Sequence, residues 1–311
     1  MTRKKARIIA KIPFSDAQRG RLRAIGVDYV ADSNPESRDD AEEILRRVSD
    51  AEAVVISIST PLKADVIRCS PTLKFIQTWS TGVDNVDLEA ASAAAIVVCN
   101  VPDFSTESVA EKTLGLMILG ANRLADANAH AAAGGWDYMK FRGCELRGKT
   151  LAIVGHGRIG RRVAELARAF GMSVVALGSK SGKDELHAAL KRADFVTVHC
   201  PYTPATRHLL GREAFGGIKP GSTLINASRG GVVDEGALHD ALEDGRVGFA
   251  AVDVFETEPP AKDHPLLRHP RAFVTPHCAW NTQEALDRLT ESALENLEAY
   301  VLGRPPANRV L

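Results

Sequence analysis

The sequence has no excess of charge of either sign and no long apolar run. Its 39 basic residues balance 39 acidic ones, so no overall electric field would recruit nucleic acid or an anionic membrane. No segment is long and apolar enough for a transmembrane helix or the core of a signal peptide. We therefore expect a cytoplasmic protein without nucleic-acid or membrane partners.

Cysteines are few and scattered. Their number is odd and no C-x-x-C pair occurs, which favours reduced thiols over disulfides or a zinc site. They are Cys69, Cys99, Cys144, Cys200 and Cys278. We expect no bound metal.

Short apolar runs alternate with helical patterns along the 311 residues, which is typical of α/β proteins with parallel sheets. Strands are predicted at 7–12, 27–30, 53–58, 73–78 and 96–99, and again at 151–154, 173–177, 195–199, 223–226, 248–252 and 272–275. A long helix from Val109 to about Ala133, a helix at 235–244 and a closing helix at 283–301 are also predicted. The pattern predicts two doubly wound sheets.

The segment from Leu151 to Phe170 predicts a nucleotide site. A short apolar strand is followed at once by Gly155, Gly157 and Gly160 in G-x-G-x-x-G spacing, and then by apolar residues at helical spacing. The free N–H groups at the start of such a helix favour an anion. This context favours dinucleotide binding over an ordinary glycine-rich turn.

The tip of the next strand lacks the acidic residue that usually binds the ribose 2′-hydroxyl of NAD. Gly178, Ser179 and Lys180 stand there instead, and small residues with a cation suit a 2′-phosphate. We therefore predict that NADP is preferred and keep NAD as the alternative. Asp184 could serve NAD if the loop folds back.

Three polar residues follow strand ends in the second sheet, namely Arg229, Glu258 and His277. Arginine binds carboxylates, histidine exchanges protons near neutral pH, and a carboxylate beside histidine holds one tautomer. The set suits interconversion of a 2-hydroxy and a 2-keto acid. Taken singly, they could equally be a surface cation, a loop carboxylate and a turn histidine.

Other polar segments allow two interpretations. The loop at 79–87 follows a predicted strand end, where α/β sheets bind ligands, but it could also be a flexible turn before a helix. His199 and Cys278 could act in acid–base or nucleophilic catalysis. We expect instead that His199 is structural at the cofactor edge and that Cys278 packs, because no base is positioned for it.

Six segments carry motifs that together indicate a single protein family. They are STGVDNVD at 80–87, STESVAE at 105–111, HCPYTPATRHL at 199–209, NASRGGVVD at 226–234, DVFETEP at 253–259 and TPH at 275–277. Together they resemble the D-isomer-specific 2-hydroxyacid dehydrogenase family over nearly the whole chain. The resemblance implies a Rossmann nucleotide-binding domain, 102–283, inserted in a flavodoxin-like substrate domain, 1–101 plus 284–311. It also implies a homodimer formed through the nucleotide-binding domains.

The same resemblance implies roles for individual residues. Arg229 would bind the substrate carboxylate and polarise the keto oxygen, His277 would protonate that oxygen, and Glu258 would keep His277 charged. The backbone N–H groups implied to bind the carboxylate are those of Thr81, Gly82 and Val83.

Asp253 would hold the nicotinamide amide by the same resemblance. The full set of cofactor contacts that we expect is Ser108, Gly155, His156, Gly157, Arg158, Ile159, Gly160, Ser179, Lys180, Cys200, Pro201, Thr206, Ala227, Ser228, Arg229, Asp253, His277 and Ala279.

Two departures from the family pattern shape the expected function. Gly178 replaces the usual Asp, which supports NADP, and Trp280 after the histidine resembles glycerate dehydrogenase and hydroxypyruvate reductase members. We therefore expect an NADP-preferring reductase of hydroxypyruvate, glyoxylate or another small 2-keto acid to the D-2-hydroxy acid. Phosphoglycerate is less favoured, because no regulatory domain follows Leu311 and the loop at 79–87 has no cationic cluster.

Two alternatives share the same resemblance. A formate or phosphite dehydrogenase relative is less favoured, because the family's formate enzymes place Gln where Glu258 stands. A dinucleotide-sensing corepressor of the same fold retains similar polar residues, although this chain lacks its long tail.

Overall fold

The chain divides into two compact units. The computed structural model describes residues 4–9, 14–31, 41–57 and 60–311. Unit 1 consists of Met1–Phe104 and Thr282–Leu311, and unit 2 of Ser105–Asn281. In sequence, unit 2 is thus an insertion in unit 1. The boundaries expected from the sequence are 101/102 and 283/284.

Each unit contains one sheet, and all neighbouring strands that the structure describes are parallel. The strands of unit 1 are β1 (Lys4–Ile9), β2 (Val27–Ala31), β3 (Ala53–Ile56), β4 (Phe75–Thr78) and β5 (Val97–Cys99). Those of unit 2 are β6 (Thr150–Val154), β7 (Ser173–Leu177), β8 (Phe195–Val198), β9 (Ser222–Asn226), β10 (Val247–Val252) and β11 (Ala272–Val274).

The helices alternate with the strands along the chain. They are α1 (Asp16–Ala24), α2 (Ala41–Val48), α3 (Ala64–Arg68), α4 (Leu88–Ala93), α5 (Thr106–Ala121), α6 (Leu124–Ala132), α7 (Arg158–Ala169), α8 (Lys183–Arg192), α9 (Arg212–Gly216), α10 (Glu235–Glu243) and α11 (Gln283–Val301). Short 3-10 turns occur at Tyr138–Phe141, Gly230–Val232 and Pro265–Leu267.

The strand order is that of doubly wound sheets. Unit 1 has the order β2-β1-β3-β4-β5, which is the flavodoxin-like 2-1-3-4-5 arrangement. Unit 2 has the order β7-β6-β8-β9-β10-β11, so β6 is flanked by β7 on one side and β8 on the other. Unit 2 therefore follows 2-1-3-4-5-6 rather than the 3-2-1-4-5-6 order of many dinucleotide-binding domains. The predicted α/β class is confirmed.

The sheet of unit 2 is covered on both faces. Leu151 and Ile153 of β6 belong to one apolar cluster with side chains of α5 and α7, whereas Ala152 and Val154 belong to a second cluster with those of α8 and α10. Successive side chains of a strand point to opposite faces, so a run of apolar residues is needed where both faces are buried. This explains the uninterrupted apolar run at the start of the nucleotide segment.

The closing helix α11 belongs to unit 1. Its Tyr300 ring stacks on Phe75 of β4 with the ring centroids 4.6 Å apart. Its buried Asn296 donates from Nδ2 to Oε1 of Gln77, 3.0 Å away. Thr282 caps the helix by accepting a hydrogen bond from the N–H of Ala285. These contacts return the end of the chain to the first sheet.

The prediction of one continuous helix from Val109 to about Ala133 is wrong, because the chain forms two helices there. The break lies between α5 and α6, where Arg123 has a left-handed backbone conformation with φ 52°. The Arg123 side chain bonds to Asp126 and to the carbonyl of Lys140. A single left-handed residue leaves the apolar periodicity intact, so the pattern alone did not reveal the break.

Strand ends also differ slightly from the predictions. The strand predicted from Leu73 starts at Phe75, because the N–H of Leu73 closes a turn onto the carbonyl of Ser70. The predicted strand ends at Ile12 and Ile58 lie outside the described residues.

Candidate active site

The glycine turn after β6 is built from close backbone contacts. Gly155 has φ 107°, and a Cβ atom placed there would lie 2.4 Å from the backbone N of Cys200. A Cβ on Gly160 would lie 2.0 Å from the carbonyl oxygen of Gly155. Gly157, by contrast, has open space around its Cβ position and precedes the first residue of α7. The first and third glycines are thus required by packing within unit 2.

The turn lies where the strand order reverses. The N–H of Gly155 donates to the carbonyl of Leu177 after β7, and the N–H of His199 donates to Val154. Ligands of open α/β sheets bind at this crevice. The first N–H groups of α7, from Arg158 onward, have no partner within the helix and favour an anion. The geometry therefore fits the phosphates of a dinucleotide.

The tip of β7 carries small, exposed residues. Gly178, Ser179 and Lys180 are exposed, and a Cβ on Gly178 would meet nothing within 4 Å. The N–H of Gly178 donates to Oγ of Ser181, 3.3 Å away. Asp184 lies in the first turn of α8. A ligand at this tip meets a lysine and hydroxyl groups.

The segment after β8 is held in a compact loop. Oγ1 of Thr206 donates to the carbonyl of Pro201 at 2.7 Å and accepts from the N–H of Thr203 at 2.8 Å. Burial raises the pKa of the Cys200 thiol to about 11, so this cysteine is not a nucleophile at neutral pH. Ser108, another expected cofactor contact, is buried and donates to the carbonyl of Ser105.

His199 is half-buried beside the glycine turn, with its Nδ1 atom buried. It shares a 2.9 Å hydrogen bond between its Nε2 and Oγ1 of Thr197. Desolvation lowers its pKa to about 4, so the ring is neutral at physiological pH. A structural role at the cofactor edge stays the prediction for this residue.

His277 and Glu258 form a close pair. Nδ1 of His277 lies 2.7 Å from Oε2 of Glu258, and Oε1 of Glu258 accepts the N–H of Phe255 at 2.9 Å. Burial opposes ionisation of Glu258, but the hydrogen bond and charge of His277, the N–H of Phe255 and the charge of Arg229 together outweigh it. The pKa of Glu258 is therefore below its ordinary value, so its carboxylate is an ionised partner for Nδ1 of His277.

Arg229 follows β9 on a segment shaped by Asn226. Nδ2 of Asn226 donates to the carbonyl of Arg229, and Oδ1 accepts from both the N–H and the hydroxyl of Ser228. One guanidinium nitrogen of Arg229 donates to the carbonyl of Ser228 at 2.9 Å. Because β9, β10 and β11 are parallel neighbours in the sheet, the three predicted catalytic residues, which follow their carboxyl ends, share one edge of the sheet.

Asp253 holds the segment that carries His277. Its side chain is 1% exposed and accepts the N–H groups of Cys278 and Ala279, each at 2.9 Å, and the hydroxyl of Thr275. The N–H of His277 donates to the carbonyl of Asp253. The sequence suggested only a cofactor contact for Asp253. Its partners lie more than twenty residues away in the chain, so no local signal indicated this role.

In unit 1, the loop after β4 presents backbone donors. Oγ of Ser80 donates to the carbonyl of Gly82 at 2.6 Å, and Oγ1 of Thr81 donates to Val101 at 3.0 Å. Among the described residues, no protein group accepts from the N–H of Thr81, Gly82 or Val83. Successive free N–H groups favour an anion.

Two further features bear on the kind of site. Within the part of the chain that the structure describes, no three His, Cys, Asp or Glu side chains come together as a metal site. None of the described helices is long and apolar enough to cross a membrane.

The parallel sheet, its glycine turn and the His–Glu pair at the same edge define unit 2 as a Rossmann-type nucleotide-binding domain. Residues 114–279 match the family described as "D-isomer specific 2-hydroxyacid dehydrogenase, NAD binding domain". The chain belongs to the D-isomer-specific 2-hydroxyacid dehydrogenase family, as its motifs predicted. This match indicates a nicotinamide dinucleotide cofactor.

Similar proteins carry different names. The chain is 41% identical over 280 residues to the D-3-phosphoglycerate dehydrogenase of Methanocaldococcus jannaschii, covering 86% of this chain and 53% of that protein. It is 37% identical over 287 residues to the glyoxylate reductase of Aeropyrum pernix, covering 86% and 85%. A solved structure of a protein from Thermus thermophilus has a TM-score of 0.91 and 36% identity, covering 99% of this chain and all of that one. The chain spans about half the length of the phosphoglycerate dehydrogenases that it matches.

The half-buried ring of His199 makes the stability of the fold depend on pH. Because its folded pKa is about 4 and its unfolded pKa about 6.5, the unfolded chain takes up a proton first as the pH falls. This histidine alone should lower the free energy of unfolding by about 2 kcal/mol between pH 7 and pH 4.5. Urea titrations at both pH values measure the loss, which His199→Gln should reduce.

His187→Gln is the matched control, because it removes a partly exposed histidine of α8. It should keep the full pH dependence of the wild type. An equal dependence in the wild type and in His199→Gln would contradict the assignment.

Proposed function

We propose that this protein reduces small 2-keto acids, hydroxypyruvate or glyoxylate first, to D-2-hydroxy acids with a nicotinamide dinucleotide. The observation that carries the proposal is the 2.7 Å contact between Nδ1 of His277 and Oε2 of Glu258. The charge of Arg229 also helps to lower the pKa of this carboxyl group. Such a His–Glu pair holds a proton ready for a developing oxyanion, and the cation beside it binds a carboxylate. The similarity to a glyoxylate reductase supports the substrate class.

His277 is the proposed proton donor. With Nδ1 engaged by Glu258, the other ring nitrogen, Nε2, is the one that can give its proton to the keto oxygen. Glu258 stabilises the protonated ring and holds its orientation, because its second oxygen is fixed by the N–H of Phe255. The reduced dinucleotide, when bound, supplies the hydride that the carbonyl carbon accepts. After the reaction, His277 takes up a proton again from solvent.

Two groups are proposed to bind the substrate carboxylate. Arg229 offers a planar fork of donors, which suits bidentate binding and polarisation of the adjacent keto oxygen. In unit 1, the N–H groups of Thr81, Gly82 and Val83 are the proposed donors, because no protein acceptor among the described residues uses them. We propose unit 1 as the substrate domain and unit 2 as the nucleotide-binding domain.

The proposed dinucleotide site follows the carboxyl ends of β6, β7 and β8. The glycine turn and the start of α7 would hold the phosphates, and the tip of β7 the adenosine ribose. Further proposed contacts are Ser108, His156, Arg158, Ile159, Cys200, Pro201, Thr206, Ala227, Ser228, Arg229, Asp253, His277 and Ala279. The carboxylate of Asp253 already accepts three protein donors, so its proposed contact with the nicotinamide amide uses its remaining acceptor capacity.

NADP is the proposed cofactor. The tip of β7 presents Ser179 and Lys180 with no carboxylate at Gly178, and these groups complement the charge of a 2′-phosphate. Asp184 is part of the first turn of α8, so it belongs to a helix rather than to the tip itself.

A second candidate substrate is 3-phosphohydroxypyruvate, the keto acid that corresponds to D-3-phosphoglycerate. The observation in its favour is the 41% identity to a phosphoglycerate dehydrogenase over 86% of this chain. The loop at 79–87 offers no cationic cluster for the additional phosphate. The unphosphorylated acids therefore remain the first choice.

Unit 2 carries an exposed apolar segment that supports the proposed homodimer. Trp136 is 90% exposed and Tyr138 81%, and Met139, next to Tyr138 in sequence, is also exposed. Large exposed apolar side chains in one stretch mark an interaction surface. A cavity of about 400 Å³ opens next to α6, at the edge of the sheet opposite to the glycine turn.

The proposed activity is tested by the absorbance of the reduced nicotinamide. We expect rapid oxidation of NADPH with hydroxypyruvate or glyoxylate, and slower oxidation with pyruvate or 3-phosphohydroxypyruvate. His277→Ala should lower kcat about 100-fold or more, because it removes the proton donor. Near-normal turnover by His277→Ala would contradict its role.

If no keto acid is reduced, the result contradicts the proposed enzyme and favours a dinucleotide-sensing protein. Formate oxidation by the wild type would instead support the formate-dehydrogenase alternative.

Cofactor preference is tested by Gly178→Asp. The new side chain has space, since nothing lies within 4 Å of its Cβ, and its charge should repel a 2′-phosphate. We expect kcat/KM for NADPH to fall about tenfold or more while that for NADH rises. Gly182→Ala, on the same loop and equally unhindered, is the control and should change neither value. A wild type that uses NADH alone would overturn the choice of NADP.

The homodimer is tested by light scattering at micromolar concentration. The wild type should give twice the 33.4 kDa chain mass, and a double variant with Trp136→Ser and Tyr138→Ser should shift towards the monomer because it loses apolar contact area. Leu302→Ser, an exposed apolar residue of unit 1, is the control and should stay dimeric. A monomeric wild type would refute the proposal.

A further inference from the structure

The dipeptide Phe255–Glu256 lies against two segments of the proposed active site through its backbone. The N–H of Phe255 donates to Glu258, which pairs with His277. On its other side, a Cβ atom on Gly230 would lie 1.9 Å from the carbonyl carbon of Phe255. Gly230 directly follows Arg229. A shift of this dipeptide would therefore displace both Glu258, which pairs with His277, and the segment that carries Arg229.

The same dipeptide is held from α10. Oε1 of Glu235, the first residue of that helix, accepts the N–H of Glu256 at 2.6 Å. The helix start is itself anchored, because Asp234 caps it through the N–H of Ala237. Glu235 thus links a rigid element to the loop that carries Glu258.

His264 fixes the other oxygen of Glu235. Its Nε2 lies 3.0 Å from Oε2 of Glu235, and both side chains are largely buried. The His264 ring also packs edge-on against the Phe255 ring, with centroids 5.1 Å apart. Its Nδ1 is buried without a partner among the described residues, so the ring bonds only through Nε2. His264 therefore contacts both Glu235 and the Phe255 side chain of the dipeptide.

We infer that Glu235 and His264 are positioning residues for the Glu258–His277 pair and act through the Phe255–Glu256 dipeptide. The inference rests on the proposed function, because it assigns these residues an effect on proton transfer. Neither residue touches the reacting atoms. Their effect is to keep the carboxylate of Glu258 at hydrogen-bond distance from Nδ1 of His277, and orientation at this level governs the rate of general acid catalysis.

The chain offers a matched control on the same helix. Glu243, the last residue of α10, pairs with Nε2 of His269 at 2.8 Å. This second Glu–His pair lies at the opposite end of the helix, next to the segment that precedes β11. It shares the chemistry of the first pair but has no contact with the loop at 253–258.

The test compares Glu235→Ala, Glu235→Gln and Glu243→Ala in keto-acid reduction. Glu235→Ala should lower kcat about tenfold or more, with dinucleotide affinity within about twofold of the wild type. Glu235→Gln retains an oxygen that can accept the N–H of Glu256, so kcat should stay within about threefold. Glu243→Ala should leave kcat unchanged even if it lowers stability.

A second readout does not depend on turnover. Hydrogen exchange of the segment 253–259, followed by mass spectrometry, should accelerate in Glu235→Ala and remain slow in the other two variants. Wild-type kcat in Glu235→Ala, or an equal loss in Glu243→Ala, would overturn the inference. If the wild type reduces no keto acid, the proposed function fails, and unchanged exchange in Glu235→Ala would then overturn the positioning as well.

Discussion

The candidate site depends on the hydrogen bonds that the buried carboxylate of Asp253 accepts. A charged group taken out of water costs several kcal/mol unless donors replace the lost hydration. Here the N–H groups of Cys278 and Ala279 and the hydroxyl of Thr275 supply that replacement. In return, the segment between them is held in one conformation, in which His277 has φ 49°. A non-glycine residue adopts this conformation at a cost of about 1–2 kcal/mol, so the surrounding bonds must sustain it.

Close backbone contacts complete the support. Gly155 allows the first turn to lie against Cys200, Gly160 allows α7 to lie against that turn, and Gly230 allows the Arg229 segment to lie against Phe255. At each position a Cβ atom would come closer than 2.5 Å to another backbone atom. These three glycines therefore serve close packing, and the glycine turn and the proposed catalytic groups lie at the same edge of one sheet.

Much of the fold followed from local patterns. The run of apolar residues at β6, the G-x-G-x-x-G spacing and the apolar stripe of α11 predicted elements that the structure contains. The break at Arg123 did not follow, because one left-handed residue leaves the periodicity unchanged. In the site, the positions of Arg229, Glu258 and His277 after strand ends suggested that they converge. The supporting groups Glu235 and His264 gave no comparable signal, because their significance lies in contacts with residues 21 to 29 positions away.

The amino-acid pattern alone accounts for the α/β class, for the family and for the kinds of side chain available at the strand ends. Those properties depend on periodicity, turn chemistry and spacing, all of which act over a few residues. Only the folded chain decides which oxygen of Glu258 meets His277, that the carboxylate of Asp253 holds the segment at 275–279, and that β8 rather than a later strand lies beside β6. These contacts join distant residues, and their geometry depends on how whole strands and helices pack.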